Sequence, residues 1–201
     1  MLPLMLNVQS VPVAVIGGGF ASVMRLTALD ESGAGAVDVY APQPDAELER
    51  RAGARLQHRW PTREDFDERR YKFIYISDIP DDDAENYVRL AHAIGALVNV
   101  HDVKRLCDFH MPARLTRGDL QVTVSTNGKA AGLARVLRDH LARSVFGPEW
   151  AAKVSAMAAA RDHWRESGAS FQELVDRTET FIADRRWLSA DATRSHQGRE
   201  G

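Results

Sequence analysis

The sequence predicts an α/β fold: a parallel sheet with helices on both faces, followed by a small α+β segment and a helical C-terminal domain. Three observations carry this reading. Short apolar, mostly β-branched runs alternate with helical patterns over residues 11–100, and each such crossover returns the chain in the same direction. The first run ends at Gly17-Gly18-Gly19 and passes straight into a helical pattern. After Pro112 the alternation stops, and a hairpin pattern followed by three helical patterns takes over.

Composition narrows the class. The 201 residues, 44% hydrophobic, can bury one ordinary core and a second small unit. Lys and Arg number 26 against 28 Asp and Glu, a formal charge of -2 that argues against nucleic acid as a partner of the whole chain. Cys107 is the single cysteine, so no intramolecular disulfide and no Cys-rich metal site can form. The apolar start is interrupted by Pro3 and Pro12 and lacks a basic leader or a cleavage signal. No run reaches the roughly 18 apolar residues that cross a bilayer. The expectation is a cytoplasmic protein without a membrane partner.

Taken in order, Val11–Ile16 reads as the first strand, and Phe20 to about Ser32 as a helix with Val23, Leu26, Thr27 and Leu29 facing the sheet. Strand, glycine turn and helix make the first unit of a Rossmann-like dinucleotide-binding domain, in which glycines let the backbone approach a pyrophosphate and the helix N-terminus donates N–H groups. Ser22 replaces the third glycine of G-x-G-x-x-G, so the turn by itself reads equally as a packing device. Ala36–Tyr40 is the second strand. Asp38 comes too early to hold a ribose and Asp45 lies past two prolines, which leaves NAD against NADP open. A short helix over 48–52, a short strand over 55–58 and a charged surface turn over 63–70 follow. Phe73–Ser77 is the fourth strand, and Asp81-Asp82-Asp83 reads as the acidic start of a helix over 84–94 rather than a metal site.

Leu97–Val100 reads as a fifth, buried strand that runs into a titratable cluster: His101, Asp102, Lys104, Arg105, Cys107, Asp108 and His110. Ligands of open parallel sheets bind beyond the carboxyl ends of the strands, so chemistry is expected there. Asp102 serves either as a proton acceptor or as a cap of the next turn. His101 and His110 read as aids to metal delivery or as packed histidines, Cys107 as a small hydrophobe, and Asp108 as a helper acid or turn cap. Beyond Pro112, residues 114–117 and 120–125 flank Gly118-Asp119 as a hairpin. Helices are expected over 130–144, over 149–167 and, capped by Ser170, over 171–186. Between Asn99 and Phe146, eight basic side chains stand against four acidic ones, a local excess that suits an anionic ligand.

Five motifs in this order, Gly17-Gly18-Gly19, Val98-Asn99-Val100-x-Asp102, Cys107-Asp108-Phe109-x-x-Pro112, Arg117-Gly118-Asp119-Leu120 and Ser125-x-x-Gly128-Lys129-x-x-x-Leu133-Ala134-Arg135, resemble the siroheme synthase family. The similarity is to its precorrin-2 dehydrogenase and sirohydrochlorin ferrochelatase module, over roughly residues 1–187, in a freestanding form without a methyltransferase domain. The resemblance implies NAD-dependent oxidation of precorrin-2 to sirohydrochlorin, in some members followed by insertion of ferrous iron, by a homodimer. It implies a cofactor site at Gly17, Gly18, Gly19, Phe20, Ala21, Ala41 and Pro42, a catalytic Asp102, and no resident metal. The anionic tetrapyrrole is expected on Arg114, Ser125, Thr126, Asn127, Gly128, Lys129 and Arg135, although the loop over 125–128 could equally just end its strand. The implied organisation is an NAD-binding domain over 1–112, a dimerisation segment over 113–146, a helical domain over 147–190 and a disordered tail over 191–201. Phe20 departs from the family's small or acidic residue and could narrow the nucleotide pocket. A tetrapyrrole carrier that lost catalysis is the competing reading.

Overall fold

The computed structural model describes residues 1–188, and the tail over 191–201 lies outside the described residues. Five parallel strands form one sheet in the order β3-β2-β1-β4-β5: β1 Val13–Ile16, β2 Val37–Tyr40, β3 Leu56–Gln57, β4 Phe73–Ile76 and β5 Leu97–Val100. The central strand β1 pairs with β2 on one side and β4 on the other, with Ile16 opposite both Tyr40 and Ile76. Its side chains therefore meet helices on both faces, and all four are buried.

Because side chains alternate along a strand, the sheet carries two cores. Ala14, Ile16, Ile74, Ile76, Val98 and Val100 pack on one face, together with Phe66 of α3 (Arg63–Arg69) and Val88 and Ala91 of α4 (Asp81–Ala93). Val13, Val15, Val37 and Val39 pack on the other with Leu26 and Leu29 of α1 (Phe20–Glu31) and Leu48 of α2 (Ala46–Ala52). The segment over 63–70, expected as a charged turn, is the helix α3. Thr62 and Asp65 close a capping box at its start, and Phe66 buries one face of an otherwise charged stretch. Asp81, Asp82 and Asp83 stand in the first turn of α4, where carboxylates favour the helix dipole.

β5 is an edge strand, and the chain folds back to cover it. The Asp108 carboxylate accepts from the Val98 N–H at 2.8 Å, the Cys107 thiol donates to the Val100 carbonyl at 3.1 Å, and the Asn99 amide donates to the Phe109 carbonyl at 2.8 Å. These bonds satisfy groups that an open edge would leave for another chain. Burial raises the Cys107 thiol above its ordinary pKa, partly offset by its bond to Val100.

The chain divides into two compact units, the first Met1–Met111 and the second from Pro112 on. In the second, β6 (Ala113–Arg117) and β7 (Leu120–Val124) form an antiparallel hairpin. It is followed by α5 (Ala131–Ser144), α6 (Trp150–Glu166) and α7 (Phe171–Asp184). Gly118 turns the hairpin with φ +56, and a Cβ there would stand 3.2 Å from Ala151, so the turn rests on α6. Ser170 and Glu173 cap α7 reciprocally.

Candidate functional site

The order β3-β2-β1-β4-β5 reverses between β1 and β4, so the crevice of the first unit opens at the carboxyl ends of those two strands. The loops that leave this edge carry Gly17–Gly19 after β1, Ala41-Pro42 after β2, His58-Arg59 after β3, Ser77-Asp78 after β4 and His101-Asp102 after β5.

The glycine turn is tight for reasons the structure makes explicit. Gly17 has φ +131, and a Cβ there would fall 1.8 Å from the Ser77 carbonyl oxygen. At Gly18 a Cβ would stand 2.6 Å from the Gln43 carbonyl oxygen, and the Gly18 carbonyl accepts from the Asp45 N–H at 2.7 Å. At Gly19 a Cβ would stand 2.8 Å from the Asp78 carboxyl carbon. Ser22, at the third glycine position, is fully buried, and its hydroxyl meets that of the buried Ser77 at 2.8 Å. One oxygen of Asp78 accepts from the Gly19 N–H at 3.1 Å, the Ser22 N–H at 3.0 Å and the Ser22 hydroxyl at 3.0 Å. Sequence reasoning placed Ser77 at the end of the fourth strand and assigned neither it nor Asp78 to the site. The available signal was topological, since the loop after β4 must face the start of α1 across the switch point.

These residues fit a dinucleotide. Phe20 is 73% exposed, so its ring is not packed into the turn. The N–H groups of Phe20 and Ala21 stand in the first turn of α1, where no intrahelical partner is available. Ala41 is buried, and its N–H donates to the Gln57 carbonyl at 3.0 Å, which draws Ala41-Pro42 close to the end of β3. Beside it the Arg59 guanidinium lies 5.4 Å over the Tyr40 ring and makes two 2.6 Å bonds to Asp65. That pair holds the Asp65 carboxyl far below the ordinary carboxylate range, aided by the Thr62 N–H. Asp38 points away from the crevice and accepts from the Tyr71 hydroxyl at 2.7 Å. Burial, then bonds to Tyr40 and Asp38, raise the Tyr71 hydroxyl well above its ordinary pKa.

Asp102 is the second residue past the end of β5, with φ +60 and a side chain 90% exposed. The His101 N–H extends the ladder to the Ile76 carbonyl at 2.8 Å, and its ring nitrogen lies 3.6 Å from the Asp102 carboxylate. Neighbouring strands are spaced about 4.8 Å apart, so Asp102 stands two strands, or roughly 10 Å, from the glycine turn. Asp108 lies elsewhere. Its bond to Val98, and its 2.9 Å contact with His92, put it at the other end of β5, as a cap of the strand. The chain has thus turned back before His110, and the sequence cluster does not form one constellation. Among the described residues, no group of three or more His, Cys, Asp or Glu side chains is placed to hold a metal ion. Nor is any helix there long and apolar enough to cross a membrane.

In the second unit Arg114 pairs with Thr123 across the hairpin, beside the end of β7 from which the loop over 125–129 leaves. Within that loop the Ser125 hydroxyl accepts from the Asn127 N–H at 3.2 Å and the Thr126 hydroxyl from the Ala130 N–H at 3.0 Å, so both shape the turn into α5. Asn127 and Gly128 have φ +52 and +75, and Lys129 is exposed. Arg135 is exposed on α5. The basic excess is partly spent within the protein: Arg105 pairs with Glu85 at 2.6 Å, Arg117 donates to the Phe146 carbonyl at 3.0 Å, and Arg138 pairs with Asp139 at 2.6 Å.

Residues 4–113 match the protein family described as "Putative NAD(P)-binding". The chain belongs to that family. Residues 117–144 match a second, described as "Sirohaem biosynthesis protein central". Curated relatives include a siroheme synthase of Nitrosococcus oceani, 35% identical over 144 residues, which are 70% of this chain and 30% of that protein. A siroheme synthase of Neisseria meningitidis serogroup C is 29% identical over 212 residues, 98% of this chain and 44% of that protein. The chain thus spans less than half the length of these relatives. Among solved structures, "SirC, precorrin-2 dehydrogenase" superposes with a TM-score of 0.73 at 23% identity, covering 97% of this chain and 96% of that one, which shows the fold. The motif resemblance to the first module of siroheme synthases therefore holds for this member of the NAD(P)-binding family.

Proposed function

We propose that this chain oxidises precorrin-2 to sirohydrochlorin with NAD as hydride acceptor. The observation that carries the reading is the common edge: the glycine turn and the solvent-open Asp102 leave the same side of one sheet, two strands apart. When bound there, the nicotinamide supplies an acceptor for the hydride that leaves a substrate carbon. The protein does the rest. The N–H groups of Phe20 and Ala21 hold the pyrophosphate at the start of α1, and Ala41-Pro42 border the adenosine half. The Asp102 carboxylate accepts the proton lost with the hydride, and His101 beside it orients that carboxylate. Arg114, the loop of Ser125, Thr126, Asn127, Gly128 and Lys129, and Arg135 offer cations and polar groups to the carboxylates of a tetrapyrrole.

In the same reading, ferrous iron is a second substrate, with the exposed Asp102 taking the two pyrrole protons one after the other and releasing each to water as the metal enters sirohydrochlorin. The protein acts as a homodimer in the cytoplasm. In support of a second copy, Leu133, Val136 and Leu137 on one side of α5 are 52%, 57% and 42% exposed, an apolar face that water covers poorly. Purified protein mixed with precorrin-2 and NAD should produce sirohydrochlorin and NADH, and Asp102→Ala should lose at least about 100-fold in rate. Absence of turnover with either nicotinamide cofactor refutes the reading. Added ferrous iron separates oxidation from chelation by the appearance of siroheme. A non-catalytic tetrapyrrole carrier is the second reading, favoured by the seating of the Asp78 carboxylate on donors of the glycine turn. Tight sirohydrochlorin binding without NAD binding would select it.

A further inference from the structure

The geometry points to Asp78 as the residue that sets dinucleotide affinity, through competition between its carboxylate and the cofactor pyrophosphate for the start of α1. This inference rests on the dinucleotide reading above and adds a determinant to it. The glycine of such a turn opens room for a phosphate to approach the backbone. Here the room at Gly19 is taken by the protein itself. Gly19 has φ -102, a conformation open to any residue, so its missing side chain is not needed for backbone freedom. What it permits is close approach: a Cβ would lie 2.8 Å from the Asp78 carboxyl carbon and 3.1 Å from each carboxyl oxygen.

The carboxylate is firmly seated. One oxygen takes the N–H groups of Gly19 and Ser22 and the Ser22 hydroxyl, and Ser22 is in turn fixed by the buried Ser77 at 2.8 Å. Asp78 itself has φ +58, which aims its side chain across the switch point at α1. Two of the four orphan donors of the helix start are thereby engaged by an internal anion. An incoming pyrophosphate finds the Phe20 and Ala21 N–H groups beside a fixed negative charge. It binds against that charge, or takes over the Gly19 N–H as Asp78 swings out. Either way the carboxylate weakens binding.

Asp78→Asn keeps the size and one acceptor oxygen and removes the charge. Calorimetric titration with NAD should show the dissociation constant falling about fivefold or more, the effect of one charge in a helix's first turn. Affinity for adenosine, which carries no phosphate, should stay unchanged. Added salt should narrow the gap between wild type and variant, since it screens the repulsion. Asp78→Ser serves as the second variant where Asn lowers the melting temperature. Unchanged or weaker NAD binding by a folded variant overturns the proposal and leaves the cofactor reading standing. A parallel change in adenosine binding also overturns it, because a structural cap would loosen the whole crevice. Failure of wild type and both variants to bind NAD refutes the cofactor reading and the inference together. Binding by the variant alone supports the inference in its strongest form.

Discussion

Replacing Gly17 with alanine tests the claim that the sheet edge is built on a contact no side chain can share. The new Cβ would fall 1.8 Å from the Ser77 carbonyl oxygen, and φ +131 disfavours any L side chain. The Ser77 N–H donates to the Ile16 carbonyl at 2.9 Å at the same place, so the ends of β1 and β4 cannot separate without giving up that bond. Backbone strain costs about 1–3 kcal/mol and overpacking about 1–3 kcal/mol. Together they amount to about 2–6 kcal/mol, which in a chain of this size lowers the melting temperature by roughly 4–24 °C. Gly53→Ala is the control: its φ is +52, but nothing lies within 4 Å of its Cβ, so it carries the backbone penalty of a positive φ alone. Thermal melts followed by circular dichroism read both. Equal shifts for the two variants, or a Gly17→Ala shift below about 2 °C, would refute the close-contact argument.

Three further outcomes follow from the same geometry. Tyr71→Phe removes a buried hydroxyl bonded to both Tyr40 and Asp38, and urea unfolding should show a loss of about 1–3 kcal/mol; an unchanged midpoint would count against that network. The Asp65 carboxyl is depressed in the folded state, so its contribution is present above the unfolded carboxylate pKa and is lost as pH falls through the folded one. Asp65→Asn should therefore flatten the acid limb of the stability profile while leaving its neutral-to-alkaline shape alone, and an acid limb as steep as that of wild type would contradict this. Leu137→Glu places a charge in the exposed apolar face of α5. Sedimentation should show a monomer where wild type is a dimer, and a wild type already monomeric at high concentration would remove the second copy.

Local pattern made much of the first unit legible in advance. Val13–Ile16 and Phe73–Ile76 are apolar runs closed by turn residues, Leu97–Val100 is broken only by Asn99, and a strand packed on both faces needs little else to announce itself. The glycine turn and the hairpin at Gly118-Asp119 were readable because each imposes a backbone conformation that few residues adopt. The helix α3 was not, because its charged surface hides a pattern resting on one buried side chain, Phe66, and on the capping box of Thr62 and Asp65.

The sequence by itself determined which residues form the strands, the glycine turn and the cationic stretch, since these depend on neighbours within a few positions. Tertiary structure alone decided which of them share a place. Asp102 and Asp108 are six residues apart in the chain, yet the return along β5 sends them to opposite ends of one strand. Gly19 and Asp78 are separated by 59 positions and are hydrogen bonded. Strand order places that pair at the switch point, and no local periodicity records strand order, because it is settled by which apolar faces find each other as the sheet assembles.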